Sequence, residues 1–171
     1  MLRFLFPGLT ADRHRGRTLF EALVAEARRK DWYRVANVPD TVEGRFAMLA
    51  TVMALAIVRL EQGGDDARMQ SVAITERFIA DLDAELRQMG INDPSLGKQV
   101  RSLVRSLERR VGLWRHAIES GEGWNETVER SVYRGRAPDG ETAARAGDEL
   151  RRFWAALEER DDVALIAGRI A

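Results

Sequence analysis

The chain has 171 residues, 45% hydrophobic and 32% charged, which excludes a disordered or fibrous protein and favours one domain with a sizeable core. Its 27 basic and 27 acidic side chains cancel, so any electrostatic partner must be met by a local patch rather than by overall charge. Without cysteine there is no disulfide, thiolate nucleophile or iron–sulfur ligand, as fits a reducing compartment.

The N-terminus carries Leu2, Phe4, Leu5 and Phe6, but Arg3 and Pro7 cut the run short of a signal peptide. Arginines at 3, 13, 15, 17, 28 and 29 are spaced as in an organellar transit peptide, yet Asp12, Glu21 and Glu26 interrupt them, and the stretch reads as a domain helix. That first helix is expected from about Asp12, a candidate N-cap, to Lys30, with Leu19, Phe20, Leu23, Val24 and Ala27 on one stripe. Trp32 and Tyr33 fall in the break that follows. Val38-Pro39-Asp40-Thr41 stops the chain, and Asp40 or Thr41 restarts it as an N-cap.

A second helix over about 41–62 is apolar almost all round its middle, so other helices should surround it. Its uncharged run, Phe46 to Val58, would cover only about 20 Å as a helix, too little to span a bilayer. Gly63-Gly64 ends it. The third helix runs from about Asp65 to Met89, where Gly90 supplies a left-handed C′ position and Ile91 can pack back on the last turn. Asn92-Asp93-Pro94-Ser95 starts the fourth, about 95–120, whose Leu96, Val100, Leu103, Val104, Leu107, Val111, Trp114 and Ile118 form the cleanest amphipathic pattern. A short helix over about 125–134, another from about Glu141 to Arg160, and a tail helix carrying Val163, Leu165, Ile166 and Ile170 complete the expectation. This is a single all-α domain over 1–171, a bundle of six or seven helices around the one near 41–62.

Catalytic chemistry is hard to assemble. His14 and His116 are the only imidazoles and lack ligand partners at helical spacing. Asp81 and Asp83 point about 200° apart on a helix. Asp83 is placed to pair with Arg87, and Asp81 shares a face with Glu85. No catalytic, metal or cofactor site is expected, and no enzyme. Charge distribution is more informative. The fourth helix has Lys98, Arg101, Arg105, Arg109, Arg110 and Arg115 against Glu108 alone. Lys98, Arg101, Arg105 and Arg109, spaced 3, 4 and 4, are read as a stripe beside the apolar face. They either balance acids of the third helix, or face water, or dock on RNA, anionic lipid or an acidic partner through arginine forks. Trp32, Tyr33 and Trp124, lying between helices, either staple loops to the core or anchor a partner.

Trp32 to about Val100 resembles the ubiquinol–cytochrome c reductase (respiratory complex III) assembly chaperones of mitochondria and α-proteobacteria. The resemblance rests on Trp32-Tyr33, Val38-Pro39-Asp40-Thr41 with Gly44-Arg45-Phe46, and Arg59-Leu60. It continues through Glu76-Arg77-Phe78, Asp81-Leu82-Asp83, Leu86-Arg87, Met89-Gly90-Ile91 and Gly97-Lys98. It implies a helical, non-enzymatic chaperone for newly made cytochrome b, without cofactors. Mitochondrial relatives work with a small helical partner near the ribosomal tunnel exit. The matched positions have structural roles to fill: Pro39, Asp40 and Thr41 as turn and cap, Gly44 for close helix approach, Gly90 as C-cap, and Arg45 and Arg59 in ion pairs. Expected partners are cytochrome b or its nascent chain, with ribosome or anionic membrane met by the basic helix, and no DNA. The expected location is the bacterial cytoplasm or the periphery of the inner membrane. The competing reading is a helical lipid- or quinone-binding protein at the membrane surface, with a groove around Phe46–Val58.

Overall fold

A computed structural model describes residues 15–90 and 93–170, apart from the side chains at 93 and 94. Among them the chain is all-α: α1 (Arg17–Ala27), α2 (Lys30–Arg34), α3 (Val42–Glu61), α4 (Asp65–Gln88), α5 (Asp93–Ser120), α6 (Trp124–Val132), α7 (Gly140–Glu159) and α8 (Asp162–Ile166). Six are the helices that the periodicity predicts before the tail, α6 being the short one, and α8 is the tail helix. The extra element is α2, a single turn where the sequence implied a break. The first helix is shorter than expected, starting after Gly16 and ending at Ala27. The Asp12 cap, His14 and Ile91 lie outside the described residues, as do the side chains at 93 and 94.

Helix α3 is the centre. From Ala50 to Val58 every residue is buried, because α1, α4, α5, α6 and α7 all pack against it. Val52, Ile57 and Val58 are β-branched and only moderate helix formers, so α3 is held by burial rather than by intrinsic preference. Its ends are set locally. Thr41 accepts the Gly44 N–H at 3.1 Å as the N-cap, and Gly44 is compulsory for the approach, since a Cβ there would lie 1.9 Å from the Pro39 carbonyl oxygen. One contiguous apolar cluster runs from Leu19 on α1 to Ile170 beyond α8. Phe46–Val58 thus provides the filled core and not an open groove. Among the described residues no helix is long and apolar enough to cross a membrane.

The far end of α3 is clasped. Arg59 donates to the carbonyls of Leu157 (3.2 Å) and Arg160 (2.7 Å) and to Asp162 Oδ1 (3.1 Å). The other oxygen of Asp162 accepts the Gly64 N–H at 2.9 Å. One carboxylate therefore ties the α3–α4 turn to the α7–α8 turn, and Arg59 satisfies carbonyls that α7 leaves orphaned at its C-terminus. The Gly64 N–H, with the Arg59 guanidinium behind it, holds the Asp162 carboxyl below the usual carboxylate range.

Two outcomes test this architecture. Leu55 is fully buried, and Leu55→Asp should cost several kcal/mol by placing an unpaired charge in the interior; melting within about two degrees of the native chain would put α3 outside the core. A depressed folded-state value means that Asp162 stabilises fully above its unfolded value near 3.9, and that this stabilisation disappears as pH falls through the folded value. Urea melts of Asp162→Asn should accordingly show lower stability at neutral pH and a shallower acid loss between about pH 5 and pH 2 than the native chain. Parallel curves would mean that the carboxylate contributes nothing to the clasp.

Candidate functional site

The aromatics read as loop staples or partner anchors turn out to finish helices. Trp32 is 1% exposed, and its indole Nε1–H donates to the Glu26 carbonyl at 3.0 Å. The Tyr33 hydroxyl donates to the Ala27 carbonyl at 2.8 Å. Both acceptors are last-turn carbonyls of α1, the Glu26 one shared with the Arg29 N–H at 3.0 Å, so α2 caps α1 with two side chains. Arg29 pairs with Glu26 at 3.0 Å and lies 5.7 Å from the Trp32 ring centroid. Burial pushes the Glu26 carboxyl up against the pull of Arg29. Trp124 is half-buried; its Nε1–H donates to the Gly147 carbonyl at 3.1 Å, and its ring meets Trp114 edge-on with centroids 4.8 Å apart. Each of Trp32, Tyr33 and Trp124 thus has its polar edge engaged by a backbone carbonyl, in the way the stapling reading expects.

Phe46 and Phe78 meet at 5.9 Å between centroids, and the Arg110 guanidinium sits 5.9 Å from the Phe46 ring. Arg110 is only 7% exposed. Its Nε–H and Nη2–H donate to the Ser131 carbonyl at 3.2 and 2.9 Å, and Nη1 reaches Ser106. The Ser131 hydroxyl accepts from Trp114 Nε1–H at 3.0 Å and lies 3.1 Å from the Thr51 hydroxyl, whose own proton goes to the Ala47 carbonyl. This buried network docks α6 on both α3 and α5. Among the described residues no acid pairs with Arg110, and burial, with Arg109 and Arg134 adding to it, lowers its pKa to about 10. It remains a cation at neutral pH, favourably placed at the negative C-terminal end of α6. A signal for it existed in the sequence: at three and four residues from Leu107 and Trp114, Arg110 stands on the apolar arc of α5 and not with the other basic residues.

The four stripe residues behave differently. Lys98, Arg101, Arg105 and Arg109 are exposed and make no ion pair or hydrogen bond among the described residues. At about 100° per residue they lie within roughly 80° of one another and opposite Leu96, Leu107 and Trp114. The stripe is thus the outer ridge of α5, not a strip beside its apolar face, which corrects its expected placement. Acids of α4 do not neutralise it. Asp83 pairs with Arg87 at 2.8 Å, as its spacing predicts, and Asp65 with Arg68 at 3.3 Å. The described ion pair that α5 makes to another helix is Arg115 with Glu61, at 2.6 Å.

An open groove of about 780 Å³ lies between α1 and α4. Phe20, Val24, Ala25, Ala80 and Ala84 supply apolar surface, and the exposed Asp81 shares the wall with Glu85. The other motif positions serve the fold: Arg45 pairs with Asp40 at 2.6 Å on the surface, and Gly90 takes the expected left-handed conformation at φ 79°. His116 is exposed.

A family model described as ubiquinol-cytochrome C chaperone matches residues 34–171. The match extends well past Val100, where the residue-level resemblance stopped. Among solved structures, the Cbp3 homologue from Brucella abortus is similar, with a TM-score of 0.80 and 27% identity over 99% of this chain and 94% of that one. No curated protein matches.

The Arg110 network generates a stability prediction in which two effects compete. Arg110→Met removes a desolvated charge but strands the buried Ser131 carbonyl, and an unmet buried acceptor costs about 1–3 kcal/mol. Urea denaturation should find the variant less stable by about that amount, with Arg110→Lys intermediate. A more stable Arg110→Met protein would show that charge desolvation outweighs the helix-end bonds.

Proposed function

The chain belongs to the ubiquinol–cytochrome c chaperone family, and we propose that it binds newly made cytochrome b and assists assembly of respiratory complex III. The observation that carries this reading is the family match through residue 171, which takes in the whole of α3–α8. It is supported by the resemblance of the Trp32–Val100 stretch and by the similarity to the Brucella abortus Cbp3 homologue. Within the fold, the groove between α1 and α4 is the place offered to a client. Its apolar floor suits a hydrophobic segment, and its charged walls keep the empty groove soluble. Binding here needs no chemistry, so the protein acts as a holder and not as an enzyme. Its place of action is the bacterial cytoplasm, beside the inner membrane into which cytochrome b inserts.

Deleting the gene in its native host should lower assembled complex III and cytochrome b while the cytochrome b transcript persists. Normal complex III in a strain with no second copy of the gene would overturn the reading. A photoreactive residue placed at Ala25 or Ala84 should crosslink to cytochrome b in cells. Crosslinks from other faces, with none from these two, would move the client off the groove.

A further inference from the structure

We propose that the outer ridge of α5, Lys98, Arg101, Arg105 and Arg109, together with Arg134 after α6, is a docking surface for an anionic phospholipid bilayer. The proposal does not depend on the identity of the client. It starts from how charge is distributed on a chain whose net charge is zero. Many exposed arginines are neutralised locally: Arg17 by Glu21, Arg45 by Asp40, Arg68 by Asp65, Arg145 by Glu141. The α5 ridge is not. Glu108 is the sole acid between Ser95 and His116, and it pairs with none of the four cations.

The ridge also gains charge at one end from outside its own helix. Arg134 is exposed and adopts φ 57°, a left-handed conformation that an L side chain takes at a cost. The Gly135 N–H returning to the Glu129 carbonyl at 2.9 Å holds the loop in that form. Arg134 and Arg109 both lie near enough to Arg110 to disfavour its charge. From Lys98 to Arg109 the ridge extends about 16 Å along a straight helix. It is a one-sided row of forks that match phosphate oxygens.

Two features favour lipid over RNA. The ridge carries no aromatic side chain on which a base could stack, since Trp114, Trp124 and Tyr133 are engaged inward. Met89, the C-cap of α4, is 55% exposed, an aliphatic side chain able to enter a headgroup layer.

The test is co-flotation of the full chain with vesicles of equal parts phosphatidylglycerol and phosphatidylcholine, against pure phosphatidylcholine. Partition should require phosphatidylglycerol and weaken steeply as salt is raised. Each basic side chain near an anionic bilayer contributes roughly fivefold, so Arg101→Gln with Arg105→Gln and Arg109→Gln should weaken partition about a hundredfold. The side chains are exposed, so helicity and melting temperature should stay near native. Arg17→Gln with Arg68→Gln and Arg145→Gln removes equal formal charge from locally paired positions and should leave partition within about twofold. Equal losses in both triple variants would reduce the effect to net charge and overturn the proposal. So would retention by a duplex RNA but not by phosphatidylglycerol vesicles, which would assign the ridge to RNA. Failure of either arm leaves cytochrome b binding untouched, because the groove lies on α1 and α4.

Discussion

A helix with no face to water has to be enclosed, and α3 sets this requirement for the rest of the molecule. Five helices close around Ala50–Val58, and each polar group that reaches into the core must find a partner there. Two side chains of α3 meet that demand. Thr51 returns its hydroxyl to the Ala47 carbonyl at 2.7 Å and lies 3.1 Å from Ser131, fixing where α6 sits. Arg59, two turns later, leaves the core where α7 ends and α8 begins. The register of the C-terminal third against the centre is therefore set by hydrogen bonds, while apolar burial supplies most of the cohesion.

The partly buried Arg59 and the buried Arg110 illustrate different solutions to one problem. Arg59 has a carboxylate, Asp162, that is itself anchored by a backbone N–H. Arg110 has only carbonyl and hydroxyl oxygens, so the negative end of α6 substitutes for a counter-ion. The exposed ridge of α5 keeps its charge unpaired among the described residues, whereas the acids of α4 spend theirs within their own helix or on the groove wall. A chain neutral in sum is thus polarised in space. The apolar client groove and the cationic ridge occupy different helices, which allows holding and docking to be independent.

Much of this was legible from residue spacing. The all-α class, the burial of the 41–62 helix, the Thr41 cap, the Gly90 turn and the Asp83–Arg87 pair follow from rules that act within about one turn, where sequence separation equals spatial separation. The expectation that no catalytic site is present came from the same source, and the ordered motif from Trp32 to Lys98 pointed to the family before any coordinates did. Partnerships across 17 to 103 residues were not legible, because no local rule ties Thr51 or Trp114 to Ser131, or Arg59 to Asp162. Direction was lost as well. Trp32 and Tyr33 look available to a partner until the carbonyls ending α1 are seen to use their polar edges. The basic stripe could be counted in one dimension, but its place opposite the buried arc emerged only when α5 packed on the core. Local chemistry selected the helices and the family; the enclosure of α3 decided which side chains face inward, which arginines are neutralised and which are left to meet a partner.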